Sequence, residues 1–177
     1  MLNPSAKKSL LAEIEGWIQR AEKEREPFDR YVSYFTAFSI LYNLYAKEMD
    51  ADVDLAFGER KRAIAAGELV ADKGALLDDL RQPLRDYLET IPAFREEYWG
   101  RSHPTPIASR LREAFYSENA SDTTEYLLKW LYKVRCNLVH GEENYDEELD
   151  RTILGYSNAI IARILSVALA EYKRRFT

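Results

Sequence analysis

The sequence predicts an all-α fold: an up-down bundle of four long helices, with a group of short helices inserted between the second and third. Three observations carry this. Apolar residues recur at steps of three and four along four long segments, which places them on one face of a helix. No valine-rich alternating run of strand type occurs, and there are only 7 glycines in 177 residues. Turn-forming residues gather in the middle, where residues 51–120 hold four of the six prolines and most of the glycines.

The first helix opens on a start signal at Pro4-Ser5. Leu10, Leu11, Ile14, Trp17, Ile18 and Ala21 form its apolar face, and Pro27 marks its end. In the second segment Phe28, Tyr31, Val32, Phe35, Phe38, Leu41, Tyr42 and Tyr45 cover more than one face. Such a helix is central to a bundle or shared with a second chain, and a central place is the expectation for most of these residues. Residues 51–120 read as short helices broken by turns, an insertion or lid on the bundle, so that 1–177 is one domain. The third long helix starts at a capping-box pattern, Asp122 with Glu125, and Gly141 follows His140 as its terminator. The last helix starts at Asn144 with Glu147, carries the stripe Leu149, Ile153, Tyr156, Ile160, Ile164 and Val167, and ends in the basic "YKRRF".

Charge and composition narrow the function. A net charge of -5 and a pI near 5.2 argue against a generic nucleic-acid coat protein, which would be basic. Local basic patches remain at Lys129, Lys133 and Arg135, and at Arg110 with Arg112. Cys136 is the sole cysteine, so no intrachain disulfide forms, and with two histidines a structural zinc site is not expected. No uninterrupted apolar run of about 18 residues predicts a membrane helix. The N-terminus turns polar too early for a secretory leader, so the expected location is cytoplasmic.

The third long helix carries the chemistry. Leu127, Leu131, Val134 and Leu138 share one stripe, which must face the core. Tyr132, Cys136 and His140 form a column on nearly the opposite face, with Arg135 and Asn137 on the two flanks. A solvated face usually carries Lys and Glu, so this column is covered either by the insertion or by another subunit. Arg135 and His140 are separated by about 140° of helical rotation. They cooperate only if the last turn deforms, if the arginine reaches around, or if a second chain docks there. A histidine can move a proton near neutral pH, and an arginine can hold a phosphate through two hydrogen bonds. Together they suit attack of a ribose 2′-hydroxyl on its own phosphodiester, which needs no metal. As residue types alone, the two are more often structural.

Other candidates are weaker. Cys136 and His140 lie within contact distance on a helix, but the electronegative helix end disfavours a thiolate, so Cys136 reads as a packed thiol. His103, among turn residues, reads as a loop residue. Glu142, Glu143, Asp146, Glu147 and Glu148 read as capping and solvated carboxylates rather than a metal site, because several are adjacent instead of convergent.

"VRCNLVHGEENYDEEL" resembles the hallmark of HEPN domains, especially the Apea-like branch: arginine, four residues and histidine near a helix end, then glycine. "TAFSILYNLY" in the second helix is similar to the aromatic helix of that branch, with Ser39 where asparagine is usual. The resemblance covers the four long helices and leaves 51–120 unassigned. It implies a helical bundle that pairs as a homodimer, with both Arg–His motifs lining one cleft, and a metal-independent endoribonuclease acting on single-stranded RNA. By the same resemblance His140 is the general acid/base and Arg135 the phosphate-binding group. Asn137, Cys136, Tyr132 and Lys133 support or contact the substrate. Many active members carry Asn, Asp or His directly after the arginine, where this chain has Cys136. Toxin–antitoxin or defence roles, a cognate antitoxin or nucleotidyltransferase-type partner, and the absence of any cofactor or metal follow from the resemblance. So does the alternative of a non-catalytic module that binds RNA, a nucleotide or a protein.

Overall fold

The computed structural model describes residues 3–49, 58–90, 106–140 and 148–177. The described residues are helical with short connections, and no strand occurs among them. In chain order the helices are α1 (Pro4–Lys23), α2 (Pro27–Glu48), α3 (Glu59–Ala65) running into a 3-10 turn at Ala66–Leu69, α4 (Lys73–Thr90), α5 (Pro106–Tyr116), α6 (Ala120–His140) and α7 (Glu148–Phe176).

Local chemistry sets several helix ends. The Asn3 side chain accepts the Ser5 N–H at 2.9 Å, and Pro4 takes the first helical position, where no N–H is needed. Pro27 has the same role at the start of α2. The cap of α6 falls three residues before the Asp122–Glu125 pair expected from sequence. Asn119 Oδ1 accepts the Asp122 N–H at 3.0 Å, and Asn119 Nδ2 donates to Asp122 Oδ2 at 3.0 Å. Asp122 is thus the third helical residue of the box rather than its cap. The cause lies in α5, which ends with Glu118 at φ 57°. The Glu118 N–H reaches Phe115 O at 3.1 Å and the Asn119 N–H reaches Ala114 O at 3.0 Å, a double closure that delivers Asn119 straight into the cap. The Asn144–Glu147 start expected for the last helix lies outside the described residues.

Helices α2 and α7 pack on each other, with α1 against α2 and α4 against α7. Helix α6 rests on α4 and α5, and α3 fills the space between α2 and α6. Of the aromatic face expected on α2, Tyr31, Phe35, Phe38, Leu41, Tyr42 and Tyr45 are buried, whereas Val32 is exposed. The α7 stripe is broader than expected: Leu154, Ile161, Leu165 and Tyr172 are buried beside Ile153, Ile160 and Ile164. Over Asp150–Phe176 this helix is long and apolar enough to match a membrane span by length and composition, and 56% of its most apolar window is buried in the fold.

The segment read as short broken helices contains the 18-residue α4. It runs through Pro83, and Leu76, Leu80, Leu84, Tyr87 and Leu88 keep one face buried in the common core. An interior proline removes one N–H and crowds the carbonyl four residues earlier, yet the buried positions keep their spacing on both sides of Pro83. Tyr87 also ties three helices together. Its hydroxyl accepts from Trp130 Nε1 at 2.5 Å and shares a hydrogen bond with Ser157 Oγ at 3.0 Å. Tyr31 adds a buried link from α2 to α6, donating to Leu131 O at 2.6 Å.

Candidate functional site

Helix α6 turns its expected stripe inward: Leu127, Leu131 and Val134 are buried and Leu138 partly so. The outer column is covered where Tyr132 lies. The Tyr132 ring packs on Phe35 of α2, with centroids 6.2 Å apart, and its hydroxyl donates to Glu59 Oε2 at 3.3 Å. Glu59 begins α3, so that helix closes over this face. Cys136 is half-buried, Lys133 likewise, and Asn137 is buried.

Arg135 meets the same carboxylate. Its guanidinium nitrogen Nη2 lies 3.7 Å from Glu59 Oε2, and its Cζ lies 6.0 Å from the Tyr132 ring centre. The other carboxylate oxygen, Oε1, accepts from the fully buried Tyr42 at 2.6 Å, and Tyr42 shares a 3.1 Å hydrogen bond with Ser39 Oγ. Ser39 and Tyr42 belong to "TAFSILYNLY" on α2 and Arg135 to the motif on α6. The two stretches singled out in the sequence therefore converge on Glu59.

The electrostatics follow from this packing. Burial, then the hydrogen bond to Glu59, pushes the Tyr42 hydroxyl well above its ordinary pKa. Burial and the Glu59 charge do the same for Tyr132. Both phenols stay protonated and act as donors. At Arg135 burial opposes the charge, but Glu59 and the Cys136 side chain outweigh it, and the pKa is raised. A permanent cation thus stands with 32% of its side chain open.

Helix α6 is α-helical through His140, so the last turn keeps regular backbone rotation. The side chain of His140, the whole of Gly141 to Glu147, and His103 lie outside the described residues. The other basic candidates are engaged locally. Lys129 pairs with Glu125 and sits 4.6 Å over the Tyr126 ring, and Arg110 donates to Tyr126 Oη at 3.0 Å. Arg112 donates to Leu88 O at 3.3 Å. Among the described residues no group of three His, Cys, Asp or Glu side chains converges as metal ligands.

Glu59 is the site residue that sequence reasoning misses. It opens the charged run "ERKR" after Gly58, which reads as a solvated helix start, and nothing in its own neighbourhood points to α6. Comparison with protein-family models, curated proteins and solved structures finds no match.

Proposed function

We propose that the protein is a metal-independent endoribonuclease of the HEPN type, cytoplasmic, which cleaves single-stranded RNA in a cleft made by two copies of the chain. In this reading the long helices α1, α2, α6 and α7 are the up-down bundle, and residues 51–120 are its insertion. The observation that carries it is the placing of Arg135: a partly open, permanent cation near the end of a helix that continues regularly to His140. One regular helix turns these residues about 140° apart, so a second copy across the end of α6 is needed to complete the site. Val139, 63% exposed, supports docking at that end, since it is the most exposed large apolar residue among those described.

In the reaction, His140 takes the proton of a ribose 2′-hydroxyl, and the 2′-oxygen attacks the adjacent phosphorus. The bond from phosphorus to the 5′-oxygen breaks, that oxygen gains a proton, and a 2′,3′-cyclic phosphate remains. Arg135 holds the non-bridging oxygens as their charge grows. The substrate supplies its own nucleophile, so DNA resists. A toxin or defence effector restrained by a cognate antitoxin or nucleotidyltransferase-type protein fits this chemistry.

The test is cleavage of mixed RNAs in the presence of chelator. Wild type is expected to cut, and Arg135→Ala and His140→Ala each to lose about 10²-fold or more. Cutting that survives both substitutions would place the site elsewhere. Val139→Glu is expected to yield monomers by sedimentation and to lose cleavage with them; an active monomer would remove the shared cleft.

A second reading has an observation of its own. The ion pair of Arg135 with Glu59 is what a purely structural arginine would make, which favours a non-catalytic module binding RNA, a nucleotide or a partner protein. Tight RNA binding with intact RNA after long incubation would favour it.

A further inference from the structure

Three donors converge on the Glu59 carboxylate. The Tyr42 hydroxyl holds Oε1 at 2.6 Å, the Tyr132 hydroxyl meets Oε2 at 3.3 Å, and Arg135 Nη2 stands 3.7 Å from Oε2. Two phenols and one guanidinium make a donor set for an oxyanion, and the paired non-bridging oxygens of a phosphodiester resemble a carboxylate in charge and reach. The holds are unequal. Tyr42 is fully buried and its contact is short, whereas the Arg135 contact is beyond hydrogen-bond length and both partners are about one-third exposed. Exposed pairs of this kind are weak and screened by water and salt. The carboxylate is therefore anchored at its Tyr42 side and loosely held at its Arg135 side.

We propose that Glu59 is an internal competitor for substrate: in the free protein its carboxylate occupies the anion position at Arg135 and Tyr132, and a phosphodiester of RNA displaces it. The inference rests on reading Arg135 as the phosphate-binding group. It assigns to α3, a helix of the inserted segment, the task of setting substrate affinity. A site blocked for part of the time binds more weakly by the fraction that is open, so removing the blocking charge tightens binding.

Glu59→Gln keeps the side-chain length and an acceptor for Tyr42 while removing the charge. The probe is a single-stranded oligonucleotide with 2′-O-methyl riboses, which has no free 2′-hydroxyl and cannot be cut. Its Kd is measured by fluorescence anisotropy at one low salt concentration for wild type, Glu59→Gln, Arg135→Ala and the double variant. Glu59→Gln is expected to bind roughly three- to tenfold tighter than wild type. In the Arg135→Ala background the same change is expected to add little, because the competition acts through the guanidinium.

No gain from Glu59→Gln, or an equal gain with and without Arg135, overturns the proposal; the second outcome would mean only that a repelling charge had gone. Far-UV circular dichroism checks each fold, and Glu59→Ala, expected to shift affinity the same way, replaces Glu59→Gln if that variant does not fold. Cleavage of ordinary RNA is scored separately. Wild-type cutting without a binding gain removes the competitor and keeps the ribonuclease, whereas a binding gain with no cutting by any variant does the reverse.

Discussion

Glu118 carries the clearest local conflict in the chain. Its φ of 57° lies in the left-handed region, where an L side chain costs about 1–2 kcal/mol and glycine is at ease. The closure of α5 requires that conformation, because the N–H groups of Glu118 and Asn119 must both turn back to α5 carbonyls. Against the strain stands one exposed ion pair, Glu118 to Arg81 at 3.2 Å, of a class that is weak and screened by water and salt. The backbone effect is the larger, so Glu118→Gly is expected to stabilise by about 0.5–1 kcal/mol and raise Tm by about 1–3 °C in a thermal melt. A lower Tm would show that the ion pair outweighs the strain. Glu59 is the opposite kind of residue. Its backbone is ordinary and its importance lies wholly in partners far away in the chain. Arg135 could be singled out from the sequence because motif spacing is local, whereas the pairing that positions it is created only by packing α3 between α2 and α6.

At the scale of elements, α4 decides what the middle of the chain is physically. The prolines and glycines of 51–120 suggest interruption, and α3 with its 3-10 turn is indeed short. Helix α4 is not, because the pattern Leu76, Leu80, Leu84, Leu88 survives Pro83 and finds α6 and α7 to pack on. Long-range burial overrode a local breaker there. The apolar stripes of α1, α6 and α7 were legible because a steady period needs no knowledge of the partner. If α4 belongs to the core in energy as well as in contact, Leu84→Ala, at a fully buried position, costs about 2–5 kcal/mol. Urea unfolding followed by tryptophan fluorescence and by circular dichroism is expected to shift to lower denaturant as one coincident transition. A loss below about 1 kcal/mol, or two separate transitions, would mean that α4 rides on a core that stands without it.

At the scale of the whole molecule, the end of α7 gathers the fold. Lys7 of α1 donates to Phe176 O at 3.0 Å and pairs with Glu48 of α2 at 2.9 Å, and Lys173 pairs with Glu15 at 2.5 Å. Arg175 reaches the 3-10 turn through Glu68 O at 3.1 Å, and Tyr45 donates to the Glu68 carboxylate at 2.7 Å. Glu171 is the hub of the basic ending: it accepts from Arg174 at 2.6 and 2.7 Å and from Arg175 at 2.5 Å. Sequence predicted that "YKRRF" suits a helix terminus, but Lys173, Arg175 and Phe176 also reach other elements, because α1 and the 3-10 turn flank the end of α7. The hydrogen bonds from Arg174 and Arg175 lower the Glu171 pKa from its ordinary 4.5 to about 2. A depressed folded-state pKa means that the unfolded chain takes up the proton first as pH falls. The stabilisation is therefore complete above about pH 4.5 and is lost progressively toward pH 2. Glu171→Gln removes it at every pH. Thermal melts of wild type and Glu171→Gln should differ by a constant Tm gap from about pH 5 to 8, and the gap should close between about pH 4.5 and 2. A gap that persists unchanged at pH 2 would show that the glutamine disturbs packing around α7 rather than removing the charge that holds Arg174 and Arg175.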